Sequence, residues 1–91
     1  MTKEEIAERL EHWHDDDHIC ASLSAFNLAG RVKKCYRWDK PHDLLTLEIW
    51  SDNGDVMCSL GINQIACVGK PGKHSREMLV EMKDGCRINL R

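Results

Sequence analysis

The segment EHWHDDDHIC, residues 11–20, concentrates side chains that can bind metal ions. It holds three histidines, three consecutive aspartates and one cysteine. Zinc needs about four nitrogen, sulfur or oxygen ligands that converge tetrahedrally, and histidines four residues apart share one face of a helix. His14 and His18 have this spacing. Metal binding at residues 12–18 is therefore one hypothesis for this segment.

The order of residues within the segment argues against a metal site. Aspartate is a poor helix former, and its charge opposes the dipole at a helix C-terminus, so the aspartate run favours the end of a helix. His12 and His14 would lie about 200° apart on a helix. The chain also lacks the D-x-D-x-D-G loop that suits calcium. We therefore predict no metal and no cofactor. The remaining alternatives are a solvated acidic helix end or an acidic patch that docks a protein partner, in either case formed by Asp15, Asp16 and Asp17.

Basic side chains interleaved with aromatic rings define a second candidate surface. Small barrels bind single-stranded nucleic acid with cations that neutralise phosphates and with rings that stack on bases. Strand alternation, however, places Arg31, Lys33 and Arg37 on one face, and Lys34 and Trp38 on the other. Cations and rings would then face together only at a bulge, and basic residues on strands also protect sheet edges. The candidate nucleic-acid residues, from strand 31–40 and loop 69–76, are Arg31, Lys33, Lys34, Arg37, Trp38, Lys70, Lys73 and Arg76.

Two of the three tryptophans are assigned a place by their position in a predicted element: one in the core, and one in a candidate protein-binding patch. Trp13 continues the apolar stripe of an N-terminal helix, which predicts a core position. Trp50 lies on the side of its strand opposite Leu47 and Ile49. Together with Leu44 it would form an outward apolar patch. We expect either the N-terminal helix, which is the simpler alternative, or a protein partner to cover that patch.

The elements that position these residues follow from periodicity. Thr2 and Glu5 fit a capping box, and apolar residues then repeat at helical spacing, so we predict an amphipathic helix over residues 3–14. Beyond residue 18 the period changes to two. Asn53-Gly54 and Asp84-Gly85 are typical of tight hairpin turns. Residues 24–38 are predicted to form one long, bent strand that is kinked or bulged at Gly30.

These elements predict an α+β fold that is mainly β. The N-terminal amphipathic helix precedes a five- or six-stranded antiparallel meander that curls into a small barrel or roll. Ninety-one residues make one domain, 1–91. Its first part, 1–18, is the acidic helix and its end, with two basic and seven acidic side chains, and the meander spans 19–91 with net charge +3.

The composition and the absence of enzyme motifs reduce the number of function classes to consider. The chain has no G-x-S-x-G, H-E-x-x-H, P-loop or G-x-G-x-x-G pattern, so we predict that it is not an enzyme. Its five cysteines are an odd number without C-x-x-C pairs, and no export signal is evident. This pattern predicts a cytoplasmic protein with free thiols. Cys58, Cys67 and Cys86 fall in apolar strand positions, so we predict that they are core residues and that the thiols are mostly inaccessible. We expect a binding or regulatory module whose partner is a protein or a second copy of the chain. Nucleic acid is the second alternative as a partner, and we expect no membrane contact.

Overall fold

The computed structural model describes residues 1–70 and 77–91, which form one helix, seven strands and a short 3-10 turn. None of the helical segments in these ranges has the length and apolar character needed to cross a membrane. The elements are α1 (Lys3–Leu10), β1 (His18–Ser22), β2 (Asn27–Tyr36), β3 (Leu44–Trp50), β4 (Val56–Gly61), the 3-10 turn η1 (Ile62–Gln64), β5 (Ile65–Val68), β6 (Met78–Met82) and β7 (Arg87–Leu90).

The strands form one antiparallel sheet that is curled into a half-barrel. Its order is β4-β3-β2-β1-β7-β6-β5, so two meanders, β1–β4 and β5–β7, are joined where β1 pairs with β7. The predicted fold class is therefore confirmed, although the sheet described here has seven strands rather than five or six. The additional strand is β1. In its sequence, HICAS, the inward residues are Ile19 and the small Ala21, and the residues that alternate with them are His, Cys and Ser. The alternation of apolar and polar residues that predicts a strand is therefore weak.

The helix α1 begins as predicted and ends earlier. The Thr2 hydroxyl accepts a hydrogen bond from the Glu5 amide, and the Glu5 carboxylate accepts one from the Thr2 amide. The hydrogen bond from the Thr2 amide to the Glu5 carboxylate is the main cause that lowers the pKa of Glu5, and the Thr2 side chain adds to this effect. The helix stops at Leu10 rather than at residue 14, yet Trp13 is still fully buried, as predicted. Together with Ile6 and Leu10 it packs into the core, where each such side chain contributes about 1.5–3 kcal/mol through burial.

A β-bulge at the start of β3 reverses the expected faces of two leucines. Tyr36 pairs with Leu44 and Cys35 pairs with Thr46, so Leu45 has no partner on β2. The extra residue shifts the alternation by one position. Leu44 consequently points inward and is 2% exposed, whereas Leu45 is 42% exposed. The prediction that Leu44 forms an outward patch with Trp50 is wrong, because Leu44 belongs to the core.

Gly30 lies where β2 closely approaches the end of β3. Residues 24–38 form a turn and β2 rather than one strand, and Gly30 pairs regularly with Ile19, so the predicted bulge at Gly30 is not found. A Cβ atom at Gly30 would collide with the Trp50 carbonyl oxygen and would lie 2.7 Å from Met57 Cε and 2.9 Å from Ile49 Cγ2. Glycine is therefore required by the close approach of neighbouring atoms.

Replacing Gly30 with alanine should lower the free energy of unfolding by about 1–3 kcal/mol, because the crowded atoms include main chain that cannot move independently. Gly61→Ala is the matched control. Gly61 is also a strand residue, and the nearest atom to its added Cβ is the flexible Gln64 Oε1 at 3.5 Å. The control should change stability by less than about 0.5 kcal/mol. Urea denaturation measures both variants, and equal stability of the two would contradict the close approach at Gly30.

Candidate binding cleft at Trp50

A cleft of about 610 Å³ opens where β2, the β3–β4 turn and the loop before β1 meet. It brings together residues that the sequence analysis placed in two separate sites. Trp50 and the aspartates belong to the candidate protein-binding site, and the basic residues belong to the candidate nucleic-acid site. Its lining consists of Asp15, Asp16, Arg31, Val32, Lys33, Trp50, Ser51, Asp52 and Gly54.

The Trp50 side chain is half-buried and is held in place by polar contacts. Its indole N–H donates to Glu48 Oε1 at 3.1 Å. The Lys33 ammonium lies 4.3 Å from the centre of the indole ring, a cation–π contact that contributes about 0.5–1 kcal/mol at exposed sites. The strand register explains this contact, because Lys33 pairs with Glu48 and is therefore a diagonal neighbour of Trp50. The expectation that the helix covers Trp50 is wrong, since α1 packs on β5 and η1.

The aspartate run forms one wall of the cleft as a turn between α1 and β1. Asp16 has φ 70°, a left-handed conformation that aspartate tolerates better than most residues. Its amide donates to the Val32 carbonyl at 2.9 Å, and the Val32 amide donates to the Asp17 carbonyl at 2.9 Å. The Asp15 carboxylate also accepts a hydrogen bond from the Lys34 amide at 2.8 Å. The predicted acidic helix end is therefore a loop bound to β2, with Asp15 and Asp16 exposed.

Lys34 faces away from the cleft and is engaged by α1's C-cap residue. Its ammonium lies 2.9 Å from Glu11 Oε2, and only 7% of the Lys34 side chain is exposed. Tyr36 donates a hydrogen bond to the other Glu11 oxygen at 3.4 Å. Burial alone would lower the pKa of Lys34, but the hydrogen bonds to Glu11 and Tyr36 outweigh it and raise the pKa. Lys34 is therefore a charged structural group with little surface for a ligand.

Two arginines of the candidate nucleic-acid set form ion pairs with neighbouring carboxylates. One lies on β2 and the other directly follows it. Arg37 Nη2 lies 2.8 Å from Asp39 Oδ2, and Arg37 Nη1 lies 3.7 Å from Asp43 Oδ2. Arg31 Nε lies 3.6 Å from Asp52 Oδ1. These pairs offset the positive charge of the strand, although exposed pairs are weak and screened by salt.

The remaining members of that set do not gather at one place. Trp38 is 94% exposed and follows β2, outside the cleft lining. Lys70 lines a separate groove with Glu5 and Glu8 of α1. Lys73 and Arg76 lie outside the described residues. Of the basic candidates that the structure describes, only Arg31 and Lys33 therefore line the cleft with Trp50.

The residues proposed as metal ligands make local contacts instead. His14 Nδ1 lies 3.7 Å from Asp17 Oδ2, and the His14 amide donates to the same oxygen at 2.9 Å. The His12 ring packs edge-on against Trp13 with centroids 5.8 Å apart. Across residues 1–70 and 77–91, no three His, Cys, Asp or Glu side chains are grouped so that they could hold a metal ion.

The five cysteines are free, as predicted, but none of them is fully buried. Of the three cysteines predicted to lie in the core, Cys58 is partly buried and packs against it, Cys67 is partly buried, and Cys86 is exposed, which contradicts the prediction for Cys86. Cys86 is exposed because it lies in the turn before β7 rather than in the strand. Burial raises the pKa of Cys58. Burial also raises the pKa of Cys35, and the Glu48 carboxylate, 3.2 Å from its sulfur, adds to that rise.

Comparisons with known proteins do not assign the chain to a family. No protein-family model matches it, and neither the curated proteins nor the solved structures searched contain a match. Function is therefore inferred from the chemistry of the cleft and its surroundings.

We expect Cys86 to react first with a thiol reagent, and Cys35 and Cys58 to react slowest at neutral pH. The thiolate is the reactive form, and a raised pKa lowers its fraction. Peptide mapping by mass spectrometry after timed labelling gives the order, and labelling in denaturant should make all five react alike. Labelling of Cys35 or Cys58 as fast as Cys86 would contradict the described burial.

Zinc, calcium and chelator should leave the melting temperature unchanged. Carboxylates of Asp15 and Asp17 already accept main-chain hydrogen bonds in the folded protein. If a metal were structural, its binding would contribute about 10 kcal/mol or more to folding. Thermal melting with added metal and with chelator measures the effect. A fall of many degrees in chelator would establish a metal site at residues 12–18.

Proposed function

We propose that this protein is a non-enzymatic binding module that acts in the cytoplasm and contacts a protein partner at the Trp50 cleft. The observation that carries the proposal is the state of Trp50. Its ring is partly accessible in an open cleft, yet Glu48 and Lys33 fix its orientation. Tryptophan is among the residues most enriched at the energetic centres of protein interfaces. A ring that is already oriented loses less conformational entropy when a partner packs against it.

The charges around Trp50 resemble the polar rim of a protein interface. Asp15, Asp16 and Asp52 contribute three carboxylates to the lining, and Arg31 and Lys33 contribute two cations. A mixed rim of this kind supports orientation and specificity towards a partner that carries both signs of charge. The described lining residues include no cysteine, so they offer no thiol nucleophile, which supports a binding role over thiol catalysis.

Nucleic-acid binding is the second candidate, favoured by Trp38. This ring is 94% exposed, and exposed rings can stack on the bases of a single strand. The ion pairs of Arg37 and Lys34 argue against a continuous cationic track beside it. At the cleft itself, Lys33 already lies over the Trp50 ring, so a stacked base would have to compete for that face or use the other.

Trp50→Ala should remove association with the partner while Trp38→Ala leaves it in place. Truncating a central aromatic anchor commonly costs about 2 kcal/mol or more, which weakens binding roughly 30-fold. The measurement is affinity capture from nuclease-treated lysate, followed by quantitative mass spectrometry at low and high salt. Proteins retained by the wild type and by Trp38→Ala, but lost with Trp50→Ala at both salt concentrations, support the proposal.

The two tryptophan variants must first melt close to the wild type. A large destabilisation by Trp50→Ala would show that the ring serves folding rather than binding. If nuclease removes the captured material, if Trp38→Ala has the larger effect, and if binding falls steeply with salt, the partner is nucleic acid. Steep salt dependence is the signature of counterion release from phosphates.

A further inference from the structure

The two edge strands of the seven-stranded sheet, β5 and β4, differ in whether other residues cover their outer main-chain groups. At one edge, β5 is covered by α1: the Val68 carbonyl accepts a hydrogen bond from Arg9, and the Val68 amide donates to Met1 Sδ at 3.4 Å. These contacts satisfy main-chain groups that would otherwise be available to another strand. The β5 edge is therefore occupied at Val68 and covered by the N-terminal segment.

At the opposite edge, no described residue pairs with the outer side of β4. Natural edge strands are commonly protected by charged side chains, proline, short length or β-bulges. The β4 sequence VMCSLG has no charged residue and no proline, and its six residues include a bulge only near its start, between Val56 and Cys58. Val56 is 49% exposed, and Ser59 is exposed. An accessible, uncharged edge of this kind is suited to pairing with another strand.

We propose that β4 pairs with β4 of a second copy of this chain, in an antiparallel arrangement about a two-fold axis. Charge decides the orientation. Parallel pairing would set Asp55, which precedes β4, beside Asp55 of the second copy. Antiparallel pairing sets Asp55 beyond the opposite, uncharged end of the strand. The two identical strands then meet without like charges, which are destabilising when directly opposed.

The bulge in β4 places the two-fold axis. Trp50 pairs with Val56 and Ile49 pairs with Cys58, so Met57 is the extra residue and the regular part of β4 is 58–61. Continuous pairing of two such segments centres the axis close to Ser59. Because the strand has six residues, the contact is small, and the dimer is weak and dependent on concentration.

The substitution Ser59→Lys tests the pairing. Two copies of Ser59→Lys would bring like charges together near the axis, and the dissociation constant of the dimer should rise by roughly fivefold. Leu79→Lys is the matched control: it adds the same charge at an exposed position of β6, an interior strand, and removes a 44% exposed apolar side chain. Sedimentation equilibrium over a wide concentration range measures association. A wild type that stays monomeric, or a dimer weakened by Leu79→Lys alone, would overturn the proposal.

Cross-linking gives a second measurement that does not depend on the lysine variant. In a Cys86→Ser background, which removes the exposed native thiol, Ser59→Cys should give a covalent dimer with a short bis-maleimide. Leu79→Cys should not. Both new thiols are exposed, so equal cross-linking of the two would show random collision rather than pairing of β4. If Ser59→Cys gave no cross-linked dimer at concentrations where the wild type associates, the interface would lie elsewhere.

Discussion

The fold depends on the short pairing between β1 and β7, because this contact joins two meanders into one sheet. Ala21 pairs with Leu90 and Ser22 with Asn89, and Cys20 and Arg91 exchange main-chain hydrogen bonds of 2.7 and 2.9 Å. Neither meander alone could close a core of useful size. The joined half-barrel provides an inner face that α1 and the residues after it can cover. It also fixes β1, and with it the acidic turn that forms one wall of the cleft.

Features set by neighbouring residues could be predicted from the sequence. The capping box at Thr2 and Glu5 depends on residues three apart, and it forms as expected. Both predicted hairpin turns contain a glycine with positive φ, Gly54 at 87° and Gly85 at 92°. Trp13 is buried although the helix ends before it. Its burial depends on the apolar stripe reaching the sheet, which a turn can achieve as well as a helix.

Features set by distant partners could not be predicted. The bulge that turns Leu44 inward depends on how β3 meets β2, and strand alternation alone gives no sign of it. The cleft has the same origin. Asp16 and Trp50 are far apart in sequence, and they share a surface only because β2 pairs with the acidic turn on one side and with β3 on the other. The ion pair that removes Lys34 from the basic surface likewise requires Glu11 of a different element.

The central claim is that Trp50 meets the partner, and the indole N–H resonances of the protein test it most directly. The three tryptophans occupy three environments: Trp13 is fully buried, Trp38 is almost fully exposed, and Trp50 lies between them in the cleft. Addition of a captured partner to ¹⁵N-labelled protein should shift or broaden the Trp50 indole signal and leave the other two in place. A Trp38 signal that moves while Trp50 stays fixed would contradict the account.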